Sequence, residues 1–174
     1  GKYDYTLTDE AINLAHKHNL KIVFLWFGSW KNSMSCYAPL WVKENSKKYP
    51  RAITKSGKPL EMMSAFSESN LNVDKRAFSH FLNHLAKYDK EDHTVIMIQV
   101  ENEIGMLEDA REYGKVADQI FASDVPAEFI DYLKKNKNTL QPSLLKKWKD
   151  NGFKTKGSWT EIFGEGLDTD ELFM

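Results

Sequence analysis

Two stretches of this chain are apolar almost without interruption. Residues 21–27 read Lys-Ile-Val-Phe-Leu-Trp-Phe and residues 94–100 read Thr-Val-Ile-Met-Ile-Gln-Val. Both are too short for an ordinary helix, rich in β-branched and aromatic residues, and flanked by polar ones. Such runs predict strands buried on both faces of a parallel sheet. Elsewhere the apolar spacing turns helical. Thr8-Asp9-Glu10-Ala11 opens a helix whose Leu7, Ala11, Leu14 and Ala15 share one face, with Asn19 as its stop. Ala77, Phe78, Phe81, Leu82, Leu85 and Ala86 mark the clearest amphipathic helix, capped by Asp74. The order helix, strand, loop, helix, strand is that of a parallel α/β sheet.

The remaining pattern is less regular. Residues 34–73 read as a long connection, with a short helix starting near Pro39-Leu40-Trp41-Val42 and breaks at Pro50, Gly57 and Pro59. After Gly105 the spacing predicts helices over 112–123, from Pro126 to about 137 and over 143–151, then helix starts at Ser158 and Asp168. No third strand is predicted. Two parallel strands would leave their edges unpaired, and a barrel built from such units needs roughly 200 residues or more. The chain opens on Gly1 and closes on Leu172-Phe173-Met174, so both ends look cut. The expectation is an α/β fold in which residues 1–174 form a fragment of a (β/α)8 TIM barrel, with strands near 21–27 and 94–101.

Composition adds exclusions. A net charge of -1 gives no reason to expect nucleic acid or an anionic membrane as partner. No apolar run approaches a membrane span, and no signal peptide opens the chain. One cysteine, Cys36, rules out an internal disulfide and has no recognisable partner base. The five histidines are scattered or helically spaced, so surface or core roles outweigh metal ligation, and neither metal nor cofactor is expected.

Chemistry gathers at the two strand ends. The second strand stops abruptly at Glu101-Asn102-Glu103, followed by Gly105, and the first runs into Gly28-Ser29-Trp30-Lys31-Asn32. Carboxylates and amides at the carboxyl end of a parallel strand stand where α/β barrels place their chemistry; a strand surfacing into a polar loop would look similar. Trp26, Trp30 and Trp41 suit sugar stacking or core filling alike. Asn32 could reach a pocket rim or serve a turn.

The stretch Gln99-Val100-Glu101-Asn102-Glu103-Ile104-Gly105 resembles the Q-V-E-N-E-Y-G signature of family 35 β-galactosidases. Its Asn-Glu pair also resembles the wider clan of retaining (β/α)8 glycosidases that includes family 42. Residues 25–32, 37–43, 157–164 and 170–174 are similar to a bacterial family 35-like subgroup. The resemblance implies the end of the fourth barrel strand, Glu103 as general acid/base, Asn102 as the contact to the sugar 2-hydroxyl, a β-galactoside or related carbohydrate as partner, and a periplasmic or secreted parent protein. Two departures stand out: Ile104 replaces the usual tyrosine, and the family's R-P-G-P-Y element appears as Trp26-Phe27-Gly28-Ser29-Trp30, without its arginine. Galactose specificity is therefore less well supported than retaining chemistry.

A retaining glycosidase needs two carboxyl groups about 5–5.5 Å apart, on opposite sides of the sugar. Glu101 and Glu103, two residues apart on one strand, would approach from the same side, so Glu101 is rejected as the nucleophile. No other residue here matches one. The isolated chain is expected to be inactive and to self-associate through exposed sheet edges or helix faces. The rival reading is a non-catalytic carbohydrate-binding or assembly module.

Overall fold

A computed structural model describes residues 2–31, 37–103 and 105–174, with Lys31 described by its backbone alone. The chain divides into two compact units, Gly1–Arg51 with Glu61–Ile104, and Ala52–Leu60 with Gly105–Met174.

The first unit is built on a βαβ arrangement. Helix α1 (Thr6–Lys17) leads to strand β1 (Ile22–Lys31), and helix α3 (Glu68–Tyr88) leads to strand β4 (Val95–Asn102). The two strands pair in parallel, Phe24 opposite Ile98 and Trp26 opposite Val100, with a register shift between Trp26 and Lys31. Helix α3 covers one face of this sheet. Phe81 meets Phe24 edge-on at 5.5 Å, and Phe78 and Phe81 lie against Trp26 at 5.1 and 5.5 Å.

Contrary to the expectation of burial on both sides, the other face is bare at Val23, Leu25 and Met97, and on the helix side Ile96 and Val100, the latter opposite Trp26, are exposed as well. This arrangement is compatible with part of a (β/α)8 barrel, in which α3 lies outside the wall and the bare face looks inward.

Local chemistry explains the joints. Asn19 takes φ 52° at the end of α1, and the Leu20 N–H donates to the Ala15 carbonyl at 2.8 Å, which is the stop its side chain suggested. The apolar face of α1 was misplaced: Ile12 and Ala15 are buried, whereas Leu7 and Leu14 are exposed. Helix α3 begins two turns before Asp74, capped by the Ser67 hydroxyl, which accepts from Asn70 N–H. At its far end buried Asp89 accepts from Thr94 N–H at 3.0 Å and Val95 N–H at 2.7 Å, tying the helix to the start of β4. Burial pushes the Asp89 carboxyl up, but the groups around it, the two backbone donors foremost, together hold it below its ordinary value.

Between β1 and α3 the expected long connection contains helix α2 (Leu40–Lys43) and a hairpin of β2 (Arg51–Ile53) and β3 (Pro59–Met63). These strands are missing from the sequence expectation because β2 has only three residues, too few to show a period. His80 and His84 stack on Tyr3 and Tyr5 at 4.4 and 3.9 Å, and His84 Nε2 meets Asp9 at 2.6 Å, so both stitch the N-terminal segment to α3.

In the second unit the hairpin tip is held by Asp109, which accepts from Lys55 N–H at 2.7 Å, and by Tyr113 N–H donating to the Ile53 carbonyl at 2.8 Å. Helices α4 (Lys115–Phe121), α5 (Ala127–Lys135), α6 (Pro142–Asp150), α7 (Trp159–Phe163) and α8 (Leu167–Phe173) follow. Helix α4 starts later than expected because Arg111 is drawn into the interior. It bonds Asp118 at 2.7 Å, Asp170 at 3.2 Å and the Glu112 carbonyl at 2.8 Å, with its guanidinium over the Tyr113 and Phe121 rings. Ser158 and Glu161 form a full capping box at α7. Among the described residues no helix is long and apolar enough to cross a membrane, and no cluster of His, Cys, Asp and Glu is arranged to hold a metal ion.

Candidate active site

Strand β4 ends at Asn102, and Glu103 follows at its carboxyl end. Asn102 is half-buried and lies opposite Lys31 on β1; its Oδ1 accepts from Gln99 Nε2 at 2.9 Å. Glu103 is exposed. Burial is the ordinary means of keeping a proton on a catalytic acid, and the structure leaves Glu103 exposed instead. The reason is in the backbone: Glu101 and Glu103 both have positive φ, 61° and 51°. Two left-handed residues around Asn102 break the strand's alternation, so the two glutamates do not share one direction. Left-handed backbone at non-glycine residues costs of order 1–3 kcal/mol each and concentrates at working sites.

Glu101, not Glu103, occupies the more buried position. Its Oε2 atom is shut off from solvent without a hydrogen-bond partner among the described residues. Burial, with the negative charge of Asp74 second, pushes the Glu101 carboxyl up to about 7.

Asp74 organises this corner from the second turn of α3. It accepts from Trp26 Nε1 at 3.0 Å and from both the N–H and hydroxyl of Ser29, each at 3.0 Å. Gly28, at φ 52°, lets the carboxylate come this close; a Cβ there would lie 2.8 Å from Asp74 Oδ1 and nearer still to Oδ2. The reading of the sequence missed Asp74 as more than a cap. The available signal was its place on the apolar stripe of α3, three and four residues before Ala77 and Phe78, where a carboxylate needs partners.

Of the expected sugar-binding residues, Trp26 and Trp41 share one cleft, and Asn102 and Trp30 do not join them there. Trp26 is half-buried, committed to Asp74 through its indole N–H and to Phe78 and Phe81 through its ring. Trp30 is 7% exposed, its indole nitrogen without a hydrogen-bond partner among the described residues. Trp41 is half-exposed and meets Tyr49 edge-on at 5.6 Å. Asn32 and Cys36 lie outside the described residues. Trp26 and Trp41 share the wall of a largely apolar cleft of about 650 Å³ with Phe27, Tyr37, Met63 and Asp74. Trp30, Asn102 and Glu103 are not among the described residues of that wall.

The family model of the glycoside hydrolase family 42 β-galactosidases matches residues 1–163. The chain belongs to that family of glycoside hydrolases. It is the clan neighbour of family 35, whose signature the 99–105 stretch resembles; the match does not extend to family 35 itself. No curated protein matches the chain. Membership implies a TIM-barrel fold, glycosidase chemistry for the parent protein and a carbohydrate substrate.

Proposed function

We propose that this chain supplies the acid/base half of a retaining β-galactosidase site, with Glu103 as the general acid/base and Asn102 as the contact to the sugar 2-hydroxyl. The observation that carries this reading is the placement of Asn102 and Glu103 at the carboxyl end of a parallel strand in a family 42 chain. In this reading Glu103, exposed just beyond the end of β4, meets a glycosidic oxygen and gives it a proton. It then takes a proton back from the water that releases the sugar. Asn102, fixed by Gln99, donates its amide to the 2-hydroxyl, a contact that strengthens as the oxocarbenium-like transition state forms. A β-galactoside is the substrate this reading favours, and Trp41, half-exposed on the wall of the apolar cleft, is the indole proposed to stack on a sugar ring.

The nucleophile must face Glu103 across the sugar, and we place it on a strand other than β1 and β4. Glu101 does not take that part, because it is turned into the protein. The 174-residue chain alone is therefore expected not to turn over a nitrophenyl β-galactoside. Clear turnover abolished by Glu103→Gln would refute that incompleteness. In a polypeptide carrying the whole barrel, Glu103→Ala should slow hydrolysis of an alkyl galactoside about 10²–10⁴-fold. A dinitrophenyl galactoside, whose leaving group needs no proton, should keep a much faster first step. Equal losses on both substrates would remove Glu103 from the acid role.

A further inference from the structure

We propose that the corner of the second unit where α5 and α6 end is an interaction surface for an acidic polysaccharide, a chain of uronate sugars. The surface follows from charge and contacts within this unit; the choice of a glycan among polyanions rests on the family's carbohydrate chemistry.

The net charge of -1 conceals a strong separation of sign. From Lys134 to Lys156 the chain holds eight lysines and a single acid, Asp150, so this span is strongly basic and the remainder acidic. A sum near zero says nothing about the local field that a polyanion meets. Contacts gather the basic segments. Lys137, two residues past the end of α5, sets its Nζ 3.4 Å from the centre of the Phe153 ring. Phe153, in the turn after α6, meets Trp148 edge-on at 5.1 Å, and Trp148 Nε1 donates to the Lys154 carbonyl at 2.7 Å. The end of α5, the last turn of α6 and the turn that follows thus converge on one corner.

Neutralisation within the chain is incomplete. Lys134 pairs with Asp131 at 3.2 Å, Lys146 with Asp150, and Lys147 with Asp168 at 3.6 Å. Lys135, Lys137, Lys149, Lys154 and Lys156 are exposed and form no ion pair with a carboxylate among the described residues. Helix dipoles welcome lysines in the last turns of α5 and α6, but Lys137, Lys154 and Lys156 lie outside both helices. Like charges held this close repel, and a negatively charged partner relieves the repulsion. The span contains no arginine, the residue whose planar fork suits phosphate; lysines act as point charges, which suit carboxylates spaced along a flexible chain. Tyr132, exposed one turn before Lys135 on α5, adds a ring face for a sugar.

Binding of polygalacturonate to the 174-residue chain, followed by titration calorimetry, tests this. It should weaken on the order of tenfold between about 50 and 200 mM salt, as counterion release requires. Lys149→Glu combined with Lys154→Glu should weaken it by about tenfold or more, whereas Lys115→Glu, on α4 of the same unit, should change it by less than about twofold. Tyr132→Ala should weaken polygalacturonate but not polyglutamate, which carries carboxylates without sugar rings. The proposal is overturned by an absence of binding at low salt, or by a loss in Lys115→Glu equal to that of the corner variant. Polyglutamate, duplex DNA or anionic lipid vesicles binding more tightly at equal concentration of anionic groups overturn it too. No turnover is measured and every substituted residue lies outside the first unit. A failure here therefore leaves the glycosidase reading untouched, and a failed galactoside assay leaves this surface untouched.

Discussion

Replacing Gly28 by alanine tests how tightly the corner around Asp74 is packed. The added methyl would stand 2.8 Å from Asp74 Oδ1 and 2.9 Å from its Cγ, against a carboxylate pinned by Trp26 and Ser29. Two costs add. Left-handed backbone without glycine costs roughly 1–2 kcal/mol. Pushing Asp74 aside weakens at least one charge-assisted hydrogen bond, about 1.5–3 kcal/mol each, and nearer the lower figure because Asp74 is only part-buried. Together Gly28→Ala should destabilise the first unit by about 2.5–3.5 kcal/mol. Because the chain forms two units, the assay is native-state amide hydrogen exchange of the β1–β4 ladder, which reads the first unit alone. Asp74→Ala supplies the control. In that background the methyl meets no carboxylate, so Gly28→Ala should cost only the backbone share, and the double-mutant cycle should show about 2 kcal/mol of coupling. Costs that simply add, or a single-mutant cost below about 1 kcal/mol, would refute the close-approach argument.

Other perturbations give outcomes of known sign. Glu101 is raised to about 7 in the fold, so between its ordinary 4.5 and 7 the folded chain binds more protons than the unfolded one, and stability falls as pH rises through that window. Melting curves of the parent chain and Glu101→Gln should therefore diverge from pH 5 to 7, the parent losing ground; parallel curves would contradict the buried position. Asp89→Ala strips the acceptor from two backbone N–H groups and should cost about 2–4 kcal/mol, read from urea midpoints. The contribution of Asp89 lies above its ordinary value and is lost as pH falls below it, the opposite direction to Glu101. With Val23, Leu25 and Met97 bare on one sheet face, the isolated chain should self-associate. A compact monomer at high concentration in sedimentation would count against this.

The parts of the fold that were legible in the sequence are those with a strong period. The continuous runs at 21–27 and 94–100 became β1 and β4, paired in parallel, and the Ala77–Phe78–Phe81–Leu85 spacing became the sheet-facing side of α3. Ser158 with Glu161 announced a cap, and a cap is there. What could not be read was set by neighbours distant in the chain. Nothing local to Glu101 and Glu103 demands their positive φ, since neither is glycine or asparagine. That backbone goes with Glu101 enclosed and Glu103 exposed, an environment the motif did not convey. The extent of α1's buried face failed for a related reason, because Leu7 and Leu14 await a surface that the described residues do not supply.

The clasp at Asp89 has a consequence for the order of events during folding. It joins residues only five and six positions apart, so closing it sacrifices little chain freedom. Contacts of such short span are reached before pairings that reach across the chain. The corner between α3 and β4 is thus a ready-made seed: it sets the direction and starting residue of β4 before β1, more than seventy positions upstream, comes to lie beside it.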